Sequence, residues 1–271
     1  MSYHLKVDFQ KIIVVGIGGT GSLVVDGLCR LLNDIDIPLV IIDYDRVEPP
    51  NLLRQAFFKE DLGKFKSQVI AERCARQYGR RIYYSIYPFD KELSLSSGKY
   101  MITPLAQNSL IIGCVDNPLA RQSIAETLDK SFGNWWLDTG NGYNFGQVLI
   151  GNTNSIGMLA GAFHKNTQEA YFIPSPALQR PELLAQTDKQ KQPECAEAIR
   201  DDEQSPVINQ AMSVLVLEFV RRMLYDNLDW IGAYLDLQTG TLKTVPAEPA
   251  TIAHMMSLES RYLMYKEEKR R

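Results

Sequence analysis

Gly16, Gly18, Gly19 and Gly21 crowd one short stretch, after the apolar run Ile12, Ile13, Val14 and Val15. Helical periodicity follows at once, with Leu23, Val24, Gly27 and Leu28 on one side. A glycine turn between strand and helix lets backbone approach a phosphate, and the helix N-terminus offers it unpaired N–H groups and partial positive charge. The residues downstream could serve the same ligand. Asp43 and Asp45 close a second apolar run roughly 20 residues on, where a dinucleotide-type fold hydrogen-bonds a ribose. Asn51, Arg54 and Gln55 follow in a loop, and Lys66 stands near a helix start. Arginine gives phosphate oxygens a planar fork and lysine a point charge. Asp116, at the end of a later strand, can reach a Mg²⁺ that bridges phosphates, with Asn117 and Arg121 behind it.

Each of these residues has a plainer reading. Asp43 could cap a loop, Arg54 and Lys66 could be solvated cations, and Asp116-Asn117 could open a helix. A nicotinamide dehydrogenase would also begin in this way. The joint spacing of two cations and a strand-end carboxylate suits a triphosphate better than a dinucleotide.

The elements that must position these groups are legible in order. Pro38-Leu-Val-Ile-Ile-Asp43 reads as a second buried parallel strand, residues 81–88 as a third and 109–117 as a fourth. Residues 90–108 are polar and irregular and read as an insertion. Trp135-Trp-Leu-Asp138 and Gln147-Val-Leu-Ile150 are further strands, joined by a turn containing Gly140-Asn141-Gly142. Residues 152–205, with Pro174, Pro176, Pro181 and Pro193, read as a long, partly mobile segment. Val207, Ile208, Met212, Leu215, Val216, Phe219, Val220 and Met223 mark an amphipathic helix over 206–224. Residues 230–237 and 241–245 form a hairpin around Thr239-Gly240. The tail from 248 ends in charged residues that read as a solvated helix end. The expected fold is α/β: a doubly wound, mostly parallel Rossmann-like sheet with helices on both faces and a C-terminal hairpin. One domain spans 1–271, divided into a nucleotide-binding half (11–151), the long loop (152–205) and the C-terminal helix and hairpin (206–271).

Composition sets the class. The 271 residues are 45% hydrophobic and 23% charged with a net charge of −3, so nothing asks for nucleic acid or an anionic membrane as partner. No apolar run approaches the roughly 20 residues that span a bilayer, and residues 1–10 hold no signal-peptide core, so a cytoplasmic protein is expected. Cys29, Cys74, Cys114 and Cys195 form no C-x-x-C pair, and no zinc is expected. Cys29 and Cys114 fall inside apolar elements and read as buried thiols.

Taken together, Gly16-x-Gly18-Gly19-x-Gly21, Asp43-x-Asp45, Asn51-x-x-Arg54-Gln55, Gly63-x-x-Lys66 and Asp116-Asn117-x-x-x-Arg121 resemble the ThiF/MoeB family and the adenylation domain of ubiquitin-activating enzymes. Cys195-Ala-Glu-Ala198 before the late helix is similar to a Cys-x-Glu-Ala segment of MoeB-like proteins. Residues 152–193 and the tail fit less well; they resemble the ThiF-type protein of a plasmid cassette that also encodes a ParB-related protein. The resemblance implies binding of Mg·ATP and adenylation of the C-terminal glycine of a ubiquitin-like or sulfur-carrier protein. Asp43 would then hold the ribose, Arg54 and Lys66 the phosphates, and Asp116 the Mg²⁺, while Asn51, Asn117 and Arg121 would line the site. It also implies a homodimer, to which residues 206–224 could offer their apolar face, although such a stripe is more commonly core. A separate conjugating or sulfur-transfer protein is expected, since no ubiquitin-fold or rhodanese-like part follows. Two family features are missing: the paired zinc cysteines, and an N-terminal helix with an arginine given across the dimer. Cys195 is either a thiol that accepts the activated carrier as a thioester or an ordinary cysteine near a helix start. The rival readings are a nicotinamide-dependent oxidoreductase and a non-catalytic subunit of an activating complex.

Overall fold

The computed structural model describes residues 3–95, 105–130, 133–185 and 205–266. Its strands are β1 (His4–Leu5), β2 (Lys11–Val15), β3 (Leu39–Ile42), β4 (Ile82–Ser85), β5 (Ser109–Gly113), β6 (Trp135–Asn141), β7 (Phe145–Gly151), β8 (Phe163–His164), β9 (Glu169–Ala170), β10 (Trp230–Asp236) and β11 (Thr241–Pro246). The helices are α1 (Gly19–Leu31), α2 (Lys66–Tyr78), α3 (Lys91–Leu95), α4 (Pro118–Lys130), α5 (Pro176–Gln179), α6 (Pro206–Leu224), α7 (Pro249–Met256) and α8 (Ser260–Leu263).

Eight strands form one sheet in the order β11-β10-β7-β6-β5-β2-β3-β4. From β4 to β6 every pairing is parallel; β7, β10 and β11 extend the sheet antiparallel. Every residue of β2, β3 and β5 is buried, because helices cover both faces, and this is why those strands read as unbroken apolar runs. The chain runs from β2 outward through β3 to β4, then crosses back to β5 on the other side of β2. That reversal opens a crevice at the carboxyl ends of β2 and β5, the place where such sheets bind ligands.

One face of the sheet carries α1, α2 and α6, whose Val24, Leu28, Val69, Ile70, Met212 and Phe219 share a core with Ile12, Val14, Leu137 and Val148. The other carries α4, whose Ile124 and Ala125 pack with Ile13, Ile111 and Trp136. Helix α6 lies along α1, and two glycines of α1 make room for it. A Cβ on Gly19 would stand 2.2 Å from Asn209, and one on Gly27 would stand 2.2 Å from Leu217. The contacts advance by eight residues on both helices, so α1 and α6 run parallel.

The structure departs from two expectations. Of residues 152–205, expected as a long, partly mobile segment, 152–185 are folded and 186–204 lie outside the described residues. The folded residues include β8, β9, α5 and the 3₁₀ turns Ile156–Leu159 and Pro181–Leu184, and they bury Leu159, Phe163, Ala170 and Ile173. Their β9 pairs in parallel with β1, and Tyr3 meets Phe163 edge-on at 5.0 Å. The insertion expected over 90–108 contains α3 and the buried Leu105 and Ala106, while 96–104 lie outside the described residues. Of the two fates open to the apolar face of α6, a seam with a second copy or plain core, the structure shows core: Ile208, Met212, Val216, Phe219 and Val220 are wholly buried. Cys29 is buried and Cys114 half-buried. Among the described residues no helix is long and apolar enough to cross a membrane.

Candidate active site

A cavity of about 930 Å³ occupies the crevice, walled by the glycine turn, the Arg54 loop and the ends of β3, β5 and β6. Helices α1, α2 and α4 begin at it, with Gly19, Lys66 and Asn117 on its wall. Their positive ends therefore face a common space, which favours an anion there.

The four glycines have different reasons to be glycine. Gly16 has φ +88°, and a Cβ there would meet the Cys114 carbonyl oxygen at 2.5 Å. Gly21, within α1, would clash with the Gly16 carbonyl oxygen at 1.9 Å, and Gly19 would strike Asn209. Only Gly18 of the four looks onto open space, its nearest neighbour being Gln55 Nε2 at 3.8 Å. Gly18 is thus the position that clears room for a ligand, and the others close the protein's own packing.

Asp43 sits at the carboxyl end of β3, held by two backbone donors. Its Oδ2 accepts from Ile17 N–H at 2.6 Å and its Oδ1 from Asp45 N–H at 2.8 Å. Burial pushes its carboxyl above the usual range, while those N–H groups and Lys66 pull it down. Both oxygens keep a lone pair for a ligand hydroxyl. Lys66 opens α2, the unfavourable end of a helix for a cation. Its Nζ lies 3.0 Å from Asp45 Oδ2, and the lysine is buried while Asp45 is half exposed. That partner offsets both the burial and the dipole.

Arg54 and Gln55 line the cavity; Gln55 Oε1 is buried with no hydrogen-bond partner among the described residues. Asn51 does not line it. The Asn51 Oδ1 accepts from Glu48 N–H at 2.9 Å and its carbonyl accepts from Gln55 N–H at 2.9 Å, so the side chain staples the 3₁₀ turn Pro49–Leu53 that carries Arg54. Gly21 likewise stands off the wall.

Across the cavity, Asp116 is exposed on the wall and makes no hydrogen bond or ion pair with the described residues. Asn117 Oδ1 accepts from Ala120 N–H at 2.8 Å and so caps α4. Arg121, buried and on the wall, donates from Nε to both oxygens of Asp138 at 3.1 and 3.2 Å. Asp138 is completely buried on β6, and burial, opposed by Arg121, pushes its carboxyl up to about 6. Sequence reasoning passed over Asp138 as a site residue; the available signal was an acid ending the otherwise apolar run Trp135-Trp-Leu. Its neighbour Thr139 also lines the cavity, and its buried Oγ1 has no partner among the described residues. Cys195 lies outside the described residues. Among the described residues no group of three or more His, Cys, Asp or Glu is placed to hold a metal.

A model of the ThiF family matches residues 3–259. The chain is 42% identical over 71 residues to the NEDD8-activating enzyme E1 catalytic subunit of Arabidopsis thaliana, covering 24% of this chain and 14% of that one. It is 26% identical over 151 residues to the SUMO-activating enzyme subunit uba-2 of Caenorhabditis elegans (54% and 24%). It is 30% identical over 141 residues to ubiquitin-like modifier-activating enzyme 5 of Drosophila grimshawi (48% and 34%). The matched stretches thus span 14–34% of these relatives' length. Among solved structures, E. coli MccB with ATP superposes with a TM-score of 0.58 at 14% identity, covering 89% of this chain and 65% of that one. PaaA superposes at 0.58 and 16%, covering 88% and 64%. These likenesses show a shared fold.

Proposed function

The chain belongs to the ThiF family, and from that premise we propose that it adenylates the C-terminal carboxylate of a small ubiquitin-like or sulfur-carrier protein with ATP. The observation that carries this reading is one cavity walled by Gly18, Asp43, Arg54, Lys66, Asp116 and Arg121 together. No paired acid and base is needed for such chemistry. A carboxylate oxygen attacks the α-phosphorus, the bond from that phosphorus to the oxygen bridging the β-phosphorus breaks, and pyrophosphate departs with the electron pair. What the protein must supply is position and compensation of charge.

In this reading Asp43 takes a ribose hydroxyl, and the N-terminus of α1 behind Gly18 faces the phosphates. Lys66 exchanges its Asp45 partner for a phosphate oxygen, and Arg54 offsets the charge that grows on the leaving group. Asp116, an exposed carboxylate on the wall, would hold a Mg²⁺ brought with the nucleotide, since this ion is commonly bound through one or two carboxylates. Mg²⁺ when bound neutralises charge on the departing pyrophosphate. Asn117 and Arg121 complete the wall. The cavity continues past Arg121 to Gly140, Asn141, Phe145 and Arg180, which is the room assigned to the carrier's tail. A family-type pairing of two copies would have to use a surface other than the buried face of α6, and light scattering at micromolar concentration reads it.

The test is exchange of labelled pyrophosphate into ATP, dependent on a small protein ending in glycine. Carrier-dependent exchange is expected. Calorimetric titration showing NAD binding without ATP binding would overturn the reading.

A further inference from the structure

Resting on the reading of the cavity as an ATP site, we infer that Asn209 is a positioning residue for the phosphate-binding turn. Asn209 is 1% exposed and lies on the face of α6 otherwise made of Ile208, Met212, Leu215 and Val216. A primary amide is costly there unless its polar atoms are satisfied. They are satisfied by parts of the chain far apart in sequence. Its Oδ1 accepts from Thr20 Oγ1 at 3.2 Å and from Asn141 Nδ2 at 3.1 Å. Its Nδ2 donates to the Arg54 carbonyl at 3.5 Å. The same Nδ2 rests against the Cα of Gly19, where no Cβ could fit.

One side chain therefore fixes the first turn of α1, the loop that carries Arg54 and the end of β6 against one another. All three border the cavity. Parallel neighbouring helices set their like-signed ends side by side, and of the two it is the N-terminus of α1 that meets the cavity. Asn209 holds the first turns of α1 and α6 in that arrangement. It has no place on the cavity wall, so its effect passes through Gly19, Thr20 and Arg54. The adenosine end of the cavity, at Asp43, is outside its reach.

The experiment compares affinities for Mg·ATP and for adenosine in wild type, Asn209→Leu, Asn209→Asp and, as control, Gln210→Ala, whose side chain is exposed on the next residue of α6. Thermal unfolding is followed in parallel. Asn209→Leu should weaken Mg·ATP roughly tenfold, the worth of one or two net hydrogen bonds, and change adenosine less than twofold. Asn209→Asp keeps both acceptor bonds and adds a negative charge near the phosphates; it should weaken Mg·ATP further and again spare adenosine. If Asn209→Leu fails to fold, the near-isosteric aspartate carries the test. An unchanged ratio of ATP to adenosine affinity, with only a lowered melting temperature, would overturn the inference and leave Asn209 as core. Failure of wild type to bind ATP would instead overturn the reading of the cavity.

Discussion

Replacing Asp138 by asparagine isolates a buried charge. Asp138 is wholly enclosed, titrates near 6 when folded against an ordinary 3.8, and pairs with Arg121. As pH rises from 4 to 6 the unfolded chain loses this proton first while the folded chain keeps it. The group therefore lowers stability as pH climbs through that window, and the loss is complete above it. At about 1.4 kcal/mol per pH unit the difference amounts to about 3 kcal/mol. Among the described residues, Arg121 from α4, Cys114 from the end of β5 and Trp136 on β6 itself face this carboxyl. Burial pushes the Cys114 thiol upward, keeping it neutral. Urea unfolding of wild type and Asp138→Asn between pH 4 and 7.5 should thus give a difference curve that falls by about 2–2.5 kcal/mol as pH rises, most of the full difference. Pyrophosphate exchange should show the functional side: wild type loses rate below pH 6, where protonated Asp138 no longer holds Arg121 as an ion pair. Asp138→Asn should be slow throughout and lack that limb. A flat difference curve would refute the reasoning, since it would mean an ordinary ionised pair.

Other perturbations divide the site by role. Asp116→Ala should stay folded by circular dichroism yet lose exchange at least a hundredfold, the cost of about 3 kcal/mol of charge stabilisation in the transition state; exchange at full speed would remove Asp116 from metal binding. Cys195→Ala should exchange near the wild-type rate, because a thiol can act only after the adenylate exists; lost exchange in a folded variant would place it nearer the chemistry. Gly18→Ala should keep stability within about 0.5 kcal/mol but weaken ATP, whereas Gly21→Ala, aimed at the Gly16 carbonyl oxygen, should cost about 1–3 kcal/mol or more in denaturant unfolding.

The buried parallel strands were plain in the sequence because strands covered on both faces must be apolar, and this carried Asp43 and Asp116 to their strand ends. The glycine pattern was legible too, but its meaning was not. Gly19 is glycine because of Asn209, which lies 189 positions downstream of its neighbour Thr20, and no local pattern encodes such a contact. The Asn51-x-x-Arg54-Gln55 motif suggests that Asn51 lines the cavity, whereas its side chain holds the turn that carries Arg54. The acid of Asp138 was visible as an anomaly, but its partner on α4 appears only when β5 and β6 pair. Residues 152–185 escaped because two-residue strands carry no periodicity. The stripe on α6 could not tell core from interface, since both ask for the same residues.

The parallel alliance of α1 with α6 also bears on how the chain is made. Helix α6 covers α1, β6 and β7, yet its first residue follows that of α1 by nearly the whole nucleotide-binding half and the segment after it. At roughly 5–20 residues per second of synthesis, the surface of α1 that awaits α6 stays bare for about 10–40 s, and those of β6 and β7 for roughly a third of that. Met212, which lies against Gly146, and Phe219 arrive together to close them. A growing chain halted before 206 would present an apolar slab one helix wide, a target for chaperones and for aggregation. Full affinity for phosphate would also come late, because the amide that holds Gly19 has not yet been made.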